Sequence, residues 1–297
     1  MGEGSVGEVL QHELTRHLSE LREQDRRVRD DAQSAVHKMR IAVRRLRSLL
    51  ATYRQVLTPG SGDEIRAELR WLGNELSAAR DAQVMSERLD ALIRDEPAEL
   101  VMGPVSRRIH MELSDRYQAG RKQALEALDD ARYSRLLGLL DAFVAAPPFN
   151  DKARRDAREQ LPRLLSRDLE RVRHRAEAVT DAASPAQRDM ALHDTRKAAK
   201  RLRYGAESAT PVLGRRAKRL ATRAKRVQEL LGEHQDTVVA RLTLRELGAQ
   251  AYVANENGFT FGRLHALEQA RASEIEHRCP AVLERLPSGS LERWLRA

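Results

Sequence analysis

The chain has 297 residues and a formal net charge of +9, enough for one large or two ordinary domains with real cores, and a balance that favours an anionic partner such as nucleic acid, acidic lipid or a polyanionic metabolite. Aromatic residues make up 4% and charged residues 33%; this is the usage of long helices, and it argues against a membrane protein, as does the lack of any apolar run near the ~20 residues of a transmembrane span. The lone cysteine, Cys279, excludes an internal disulfide, has no Cys or His set around it at zinc spacing, and reads as a small buried residue in a reducing compartment.

In chain order, Met1 to Val6 shows no basic or apolar leader, so no signal peptide is expected. Val6, Val9, Leu10, Leu14, Leu18 and Leu21 recur at helical spacing and predict a long amphipathic helix to about Arg29. Ser34 suits the N-cap of a second helix reaching about Val56, and Thr58-Pro59-Gly60-Ser61-Gly62 breaks it. A third helix is expected from Asp63 to about Ile93, stopped by Asp95-Glu96-Pro97. A fourth runs from Pro104, suited to a first turn, to Leu128, and a short fifth covers Tyr133 to Val144. Ala146-Pro147-Pro148 then divides the chain into halves, 1–148 and 149–297.

The second half repeats the plan. Lys152 to Val179 predicts a long helix that Pro162 should kink, unless the helix proper begins there. Ser184-Pro185 breaks, Gln187 to Ser208 is helical, and Pro211 breaks again. A long helix follows from Val212 or Leu213 to about Leu247, then a loop at Asn255-Glu256-Asn257-Gly258 and a helix from Phe259 to about Glu276. Pro280 and Pro287-Ser288-Gly289-Ser290 precede short turns ending at Trp294. No alternating strand pattern appears, so the fold class is all-α.

The two halves share a motif. Val36 to Arg47 is matched by Leu192 to Arg203: His37 with His193, Arg40 with Arg196, Ala42 with Ala198, Arg44 with Lys200, and Arg45-Leu46-Arg47 with Arg201-Leu202-Arg203, all at one offset of 156 residues. Leu76 to Val84 likewise matches Leu231 to Val239 at an offset of 155, which pairs Asp81 with Asp236 and Arg70 with Lys225. At about 100° per residue His37, Arg40, Arg44 and Arg47 form one cationic stripe. Met39, Val43, Leu46 and Leu50 form the apolar stripe beside it, and Lys38 and Arg45 share a second flank. His193, Arg196, Lys200 and Arg203 repeat the cationic stripe. This pattern predicts two four-helix bundles of long antiparallel helices related by a pseudo-twofold axis, with the stripes facing across a basic cleft or pore.

Stacked cations at i, i+3 and i+4 repel by a few tenths of a kcal/mol per pair, roughly, so the stripes are best explained by an anion that they meet. Arginine forks bind phosphate oxygens through paired hydrogen bonds, and lysine adds a point charge. His37 and His193 sit at the stripe edge, where they can donate a proton to phosphate; cationic neighbours should lower their pKa and a bound polyanion raise it. No nucleophile or paired carboxylate recurs with them, so no catalytic residue is assigned. Asp81 and Asp236 are expected to orient a neighbouring arginine or cap a local interaction. Tyr204, Trp71 and Trp294 are expected in cores or at helix ends. The scarcity of aromatics disfavours single-stranded nucleic acid. No glycine-rich phosphate loop, nucleophile elbow or HExxH string is present.

The pattern His-x-x-Arg-x-x-x-Arg-Arg-Leu-Arg at His37 to Arg47, its copy at His193 to Arg203, and the segments ending at Asp81 and Asp236 resemble the CHAD domain (conserved histidine α-helical domain) over about Val6 to Arg278. The resemblance implies two four-helix bundles about a pseudo-dyad, with a basic pore that binds inorganic polyphosphate. By motif position it implies a lining of His37, Arg40, Arg44, Arg45, Arg47, His193, Arg196, Lys200, Arg201 and Arg203, joined by Arg70 and Lys225. Lys38 and Lys197, on the same helices, complete the expected polyphosphate-binding set. Asp194 and Thr195 replace Lys38 and Met39 in the copy, and Lys200 replaces an arginine, so the two sites are expected to be unequal. Some CHAD proteins carry a CYTH triphosphatase domain with a Glu-x-Glu-x-Lys strand. The nearest string here, Glu274-x-Glu276-x-Arg278, lies late and on a helix. The expectation is a stand-alone, cytoplasmic, non-catalytic binder associated with polyphosphate granules, without metal, cofactor or membrane. The alternatives are a nucleic-acid-associated basic protein and a hydrolase or phosphotransferase acting on polyphosphate.

Overall fold

Local capping sets where several helices begin. Ser5 accepts a hydrogen bond from the Glu8 backbone N–H, and the Glu8 carboxylate accepts one from the Ser5 N–H; this reciprocal box starts α1, Val6–Arg29. In the second half Asp156 accepts from the N–H groups of Arg158 and Glu159 and starts α7, Ala157–Thr180. Ser184 caps α8, Pro185–Leu213, with Pro185 at the first helical position, where its missing N–H forfeits no helical bond. The computed structural model describes residues 4–30, 32, 34–286 and 290–296. Its other helices are α2 (Ala35–Thr52), α3 (Asp63–Glu75), α4 (Ser77–Asp95), α5 (Val105–Asp129), α6 (Ala131–Ala145), α9 (Arg215–Val253), α10 (Phe259–Glu284) and α11 (Ser290–Arg296). The fold is all-α, with no strand among the described residues.

Several boundaries differ from the sequence expectation, each for a local reason. Ser34 precedes α2 at φ 64° and its side chain makes no cap hydrogen bond, so the helix starts without the expected cap. α2 ends at Thr52, and Arg54–Val56 continues as a 3-10 turn. The expected third helix is two, because Leu76 at ψ −1° interrupts it between α3 and α4. Pro104 stands just before α5 rather than in its first turn. Asp151–Arg154 is a separate 3-10 turn, and α7 begins only after Asp156. Pro162 lies inside α7 and Pro280 inside α10; Pro211 also lies inside its helix, α8. A proline removes one hydrogen bond, and packing on neighbouring helices can outweigh that loss. The break after α8 comes instead at Gly214, whose φ of 59° suits a residue without Cβ. Met1–Glu3 and the expected break at Pro287-Ser288-Gly289 lie outside the described residues, and Trp294 lies in α11.

The apolar stripe of α2 is buried as its periodicity requires, with Met39, Val43, Leu46 and Leu50 all at 1% exposure or less. The main core joins Leu10, Leu46, Leu69 and Leu136 from before Pro148 with Leu165, Leu202, Leu231 and Leu295 from after it. A second core packs Leu89, Ile109 and Leu113 of α4 and α5 against Leu244, Leu247 and Phe261 of α9 and α10. Both cores therefore draw on both halves of the chain. Contacts across the halves also recur in reciprocal form. The Val6 N–H donates to the Arg155 carbonyl at 3.0 Å, and the Ala157 N–H donates to the Gly4 carbonyl at 3.2 Å. Arg45 lies 3.0 Å from the Glu207 carboxylate, and Arg201 donates to the carbonyl of Ala51, the residue 156 positions before Glu207. No helix among the described residues is long and apolar enough to cross a membrane.

Candidate functional site

Because the apolar stripes of α2 and α8 turn into the core, their cationic stripes are left facing a shared cavity of about 690 Å³. α2 supplies His37, Arg40, Arg44 and Arg47, and α8 supplies His193, Arg196, Lys197, Lys200 and Arg201. Arg66 of α3 and Arg80 of α4 add two more cations, while Asp81 of α4 and Asp236 of α9 are the only carboxylates on the described wall. Nine arginine and lysine side chains and two histidines thus face two acids. None of Arg44, Arg47, Arg196 and Lys200 has a carboxylate within ion-pair distance among the described residues. The buried Nε atoms of Arg44 and Arg196, and Nδ1 of His193, have no hydrogen-bond partner.

Two features hold the arginines in place. Arg40 donates to the Ser77 carbonyl at 3.1 Å and to Asp81 at 3.0 Å, so Asp81 orients its neighbour as its recurrence suggested. On the other side Arg196 lies against Gly232, the counterpart of Ser77, where an added Cβ would stand 3.3 Å from the Arg196 Nε. Burial pushes the Asp236 carboxyl above its ordinary pKa, and Arg196 opposes that shift.

The crowding of like charge shows in the titration of the wall. Burial, then the guanidinium groups of Arg196, Arg44, Arg40 and Arg47, lowers the Lys200 ammonium from 10.5 to about 7. Burial and then Arg80, Arg44 and Arg40 lower His37; burial and then Lys197 lower His193, where a Gln235 hydrogen bond pulls the other way. Burial, followed by Arg70 and Arg66, lowers Arg47.

Five of the fourteen residues expected from the sequence lie off this wall. Arg45 pairs with Glu207 and lies over the Tyr204 ring, 5.3 Å from its centroid. Arg203 pairs with the same Glu207 at 2.7 Å and flanks the same ring. Lys38 is exposed on the outer flank of α2. Arg70 is exposed but close enough to Arg47 to lower its pKa, and Lys225 is paired with Glu229 at 3.3 Å. Two of the wall residues are themselves partnered: Lys197 with Asp194 at 2.5 Å, and Arg201 with the buried Asp168 at 2.6 Å. Arg66 and Arg80 were missed. Arg66 lies one turn before Arg70, and Arg80 lies beside Asp81 inside the repeated segment, so both carried a positional signal.

A second polar cluster lies between α8, α9 and α10. The donor atoms of Asp189, His234 and Glu276 lie within 4.8 Å of one another, a set of types that can ligate a metal. Arg241 at 3.5 Å from Asp189 and Arg188 at 3.5 Å from Glu276 already balance the two carboxylates, so the cluster reads as an ion-pair network around a buried histidine.

Residues 12–245 match the CHAD domain family. Two curated proteins of Mycobacterium tuberculosis are similar over 266 residues: uncharacterized protein MT2285 of strain CDC 1551 / Oshkosh at 38% identity and uncharacterized protein Rv2226 of strain H37Rv at 37%. Each alignment covers 88% of this chain and 50% of the relative, so the chain spans half the length of these relatives. Among solved structures, the CHAD domain of the plant Ricinus communis superposes with a TM-score of 0.74 at 26% identity, covering 96% of this chain and 94% of that one. PptA from Streptomyces chartreusis has the same fold, with a TM-score of 0.76 at 18% identity over 95% of this chain and 100% of that one.

Proposed function

The chain belongs to the CHAD domain family, and from that premise we propose that its basic cavity binds inorganic polyphosphate. The observation that carries the reading is the unpartnered quartet Arg44, Arg47, Arg196 and Lys200 on one wall, two cations from each copy of the repeat. A linear chain of phosphates offers repeating charge to both stripes at once, which a single anion does not. On this reading the halves are related by a pseudo-twofold axis, and the reciprocal contacts between α1 and α7 and between α2 and α8 support it. Long chains should then bind far more tightly than short ones, because engaging one stripe raises the effective concentration at the other.

The cavity wall carries no phenylalanine, tyrosine or tryptophan among the described residues, which favours inorganic phosphate chains over single-stranded nucleic acid, whose bases stack on such rings. The site is read as a binder without turnover. The cation-ligating groups on its wall are Asp81, already engaged by Arg40, and Asp236. Expected site residues that lie off the wall, Lys38, Arg45, Arg70, Arg203 and Lys225, contribute to the surrounding potential or to packing.

The test is equilibrium binding of long-chain polyphosphate to the wild-type chain and to an Arg44→Ala/Lys200→Ala variant, with Arg203→Ala as a contrast. The double variant should lose most of the affinity, and duplex DNA and RNA should compete poorly at physiological salt. Unchanged affinity in the double variant would overturn the assignment. Release of orthophosphate from polyphosphate with Mg²⁺ or Mn²⁺ present would replace binding by hydrolysis as the activity.

A further inference from the structure

Beside the basic cavity lies a second one of about 560 Å³, and His37 and Arg80 stand on the walls of both. It opens between the start of α2, α4 and α5. Ala79 and Leu113 give it apolar surface, His110 and Tyr117 give it planar rings, and Gln83 offers a hydrogen-bond donor. No carboxylate stands on its described wall.

The corresponding place in the second half is filled. At the 155-residue offset Ala79 corresponds to His234 and Arg121 to Glu276. The His234 ring is buried there, with Nε2 lying 3.2 Å from Glu276 and 3.5 Å from Asp189. A methyl group stands in the first half where the copy has an imidazole, so volume is left open. The helices cannot close it by moving together, since α4 and α5 already touch: a Cβ on Gly120 would come within 2.4 Å of the Ala79 backbone N.

We propose that this second cavity holds the nucleoside end of a nucleoside polyphosphate whose phosphate chain lies in the basic cavity. The proposal rests on the polyanion reading of that cavity and deepens it. The size and mixed lining are those of a small-molecule pocket, largely apolar with a few placed polar groups. Planar rings suit a base, a described wall without carboxylates suits a group joined to phosphate, and the shared His37 and Arg80 mark the passage from nucleoside to phosphates. The two halves differ accordingly: the first leaves this place open, and the second fills the matching position with His234.

Calorimetric titration of ATP and of inorganic tripolyphosphate into the full chain, without divalent metal and at one pH and ionic strength, tests this. Tripolyphosphate carries one more ionisable group, so a site made of cations alone favours it. The proposal expects the reverse order in the wild-type chain, with ATP tighter by about tenfold, the lower range for one base stacked on an aromatic ring. Ala79→Leu, which fills the cavity, should abolish that preference and leave tripolyphosphate binding unchanged. Tyr117→Ala, at a half-exposed position, should weaken ATP alone. Tripolyphosphate binding as tightly as ATP to the wild type, or the preference persisting in both variants, overturns the second cavity and leaves the polyphosphate reading intact. Failure of the wild type to bind ATP also overturns the second cavity, and failure to bind long-chain polyphosphate under the same conditions overturns both.

Discussion

Lys200 stands where the first repeat has Arg44, and the structure makes that exchange a matter of protonation. With its pKa lowered from 10.5 to about 7, the ammonium carries roughly 5 kcal/mol of unrelieved desolvation and repulsion, at about 1.4 kcal/mol per unit. The unfolded chain holds this proton up to its ordinary pKa, so between pH 7 and 10.5 it binds more protons than the fold, and the unliganded protein gains stability as pH rises through that window. Binding runs the opposite way. A polyanion restores the charged form, so at pH 8, where about one-tenth of Lys200 is protonated in the free protein, binding takes up about 0.9 proton. Polyphosphate affinity should then fall roughly 50-fold between pH 7 and 9. Titration calorimetry in two buffers of different ionisation enthalpy reads the proton count directly. Lys200→Arg, charged throughout, should show no uptake in this window and should bind about as much more tightly at pH 9 as the wild type has lost. Equal proton counts at pH 8 in the wild type and Lys200→Arg would refute the reasoning.

His37 and His193 act in a lower window. Burial and cationic neighbours hold both below 6.5, so affinity should rise again as pH falls through that range, and His37→Asn/His193→Asn should lose this limb while keeping the one between pH 7 and 9. Gly232→Ala should displace the Arg196 guanidinium and weaken polyphosphate by up to about tenfold, near the worth of one charge-assisted hydrogen bond, with little change in the urea midpoint. Asp168→Ala removes the buried partner of Arg201 and should cost about 3 kcal/mol or more in urea denaturation. The same change releases Arg201 into the basic cavity, so the affinity of the folded fraction should rise.

The helical fold was legible because its apolar spacing is regular: α1 spans Val6–Arg29 as its leucines imply. The interruptions were harder to read. A proline in a sequence reads as a break, yet Pro211 and Pro280 lie within helices, while Leu76 carries no breaking signal and still divides α3 from α4. The cationic stripe of α2 could be read from one helix, and its four members all reach the cavity. Arg45 could not be judged that way, because Glu207, which neutralises it, is carried by α8 and reaches α2 only through tertiary packing, whereas the pairing of Arg203 with Glu207 is an i,i+4 contact within α8 that the spacing already offered. Lys200 shows the same limit. The sequence shows the loss of a fork, whereas the shift toward neutrality comes from burial among four arginines on two helices.

The backbone ties between the starts of α1 and α7, together with two cores that each span Pro148, bear on how the protein comes apart. Separating the halves exposes apolar surface of both cores at once, so the two halves lose part of their packing together. Heating should therefore give one calorimetric transition whose measured enthalpy equals the van't Hoff value, rather than one step per repeat. A ligand that spans both stripes then raises the melting temperature of the whole chain.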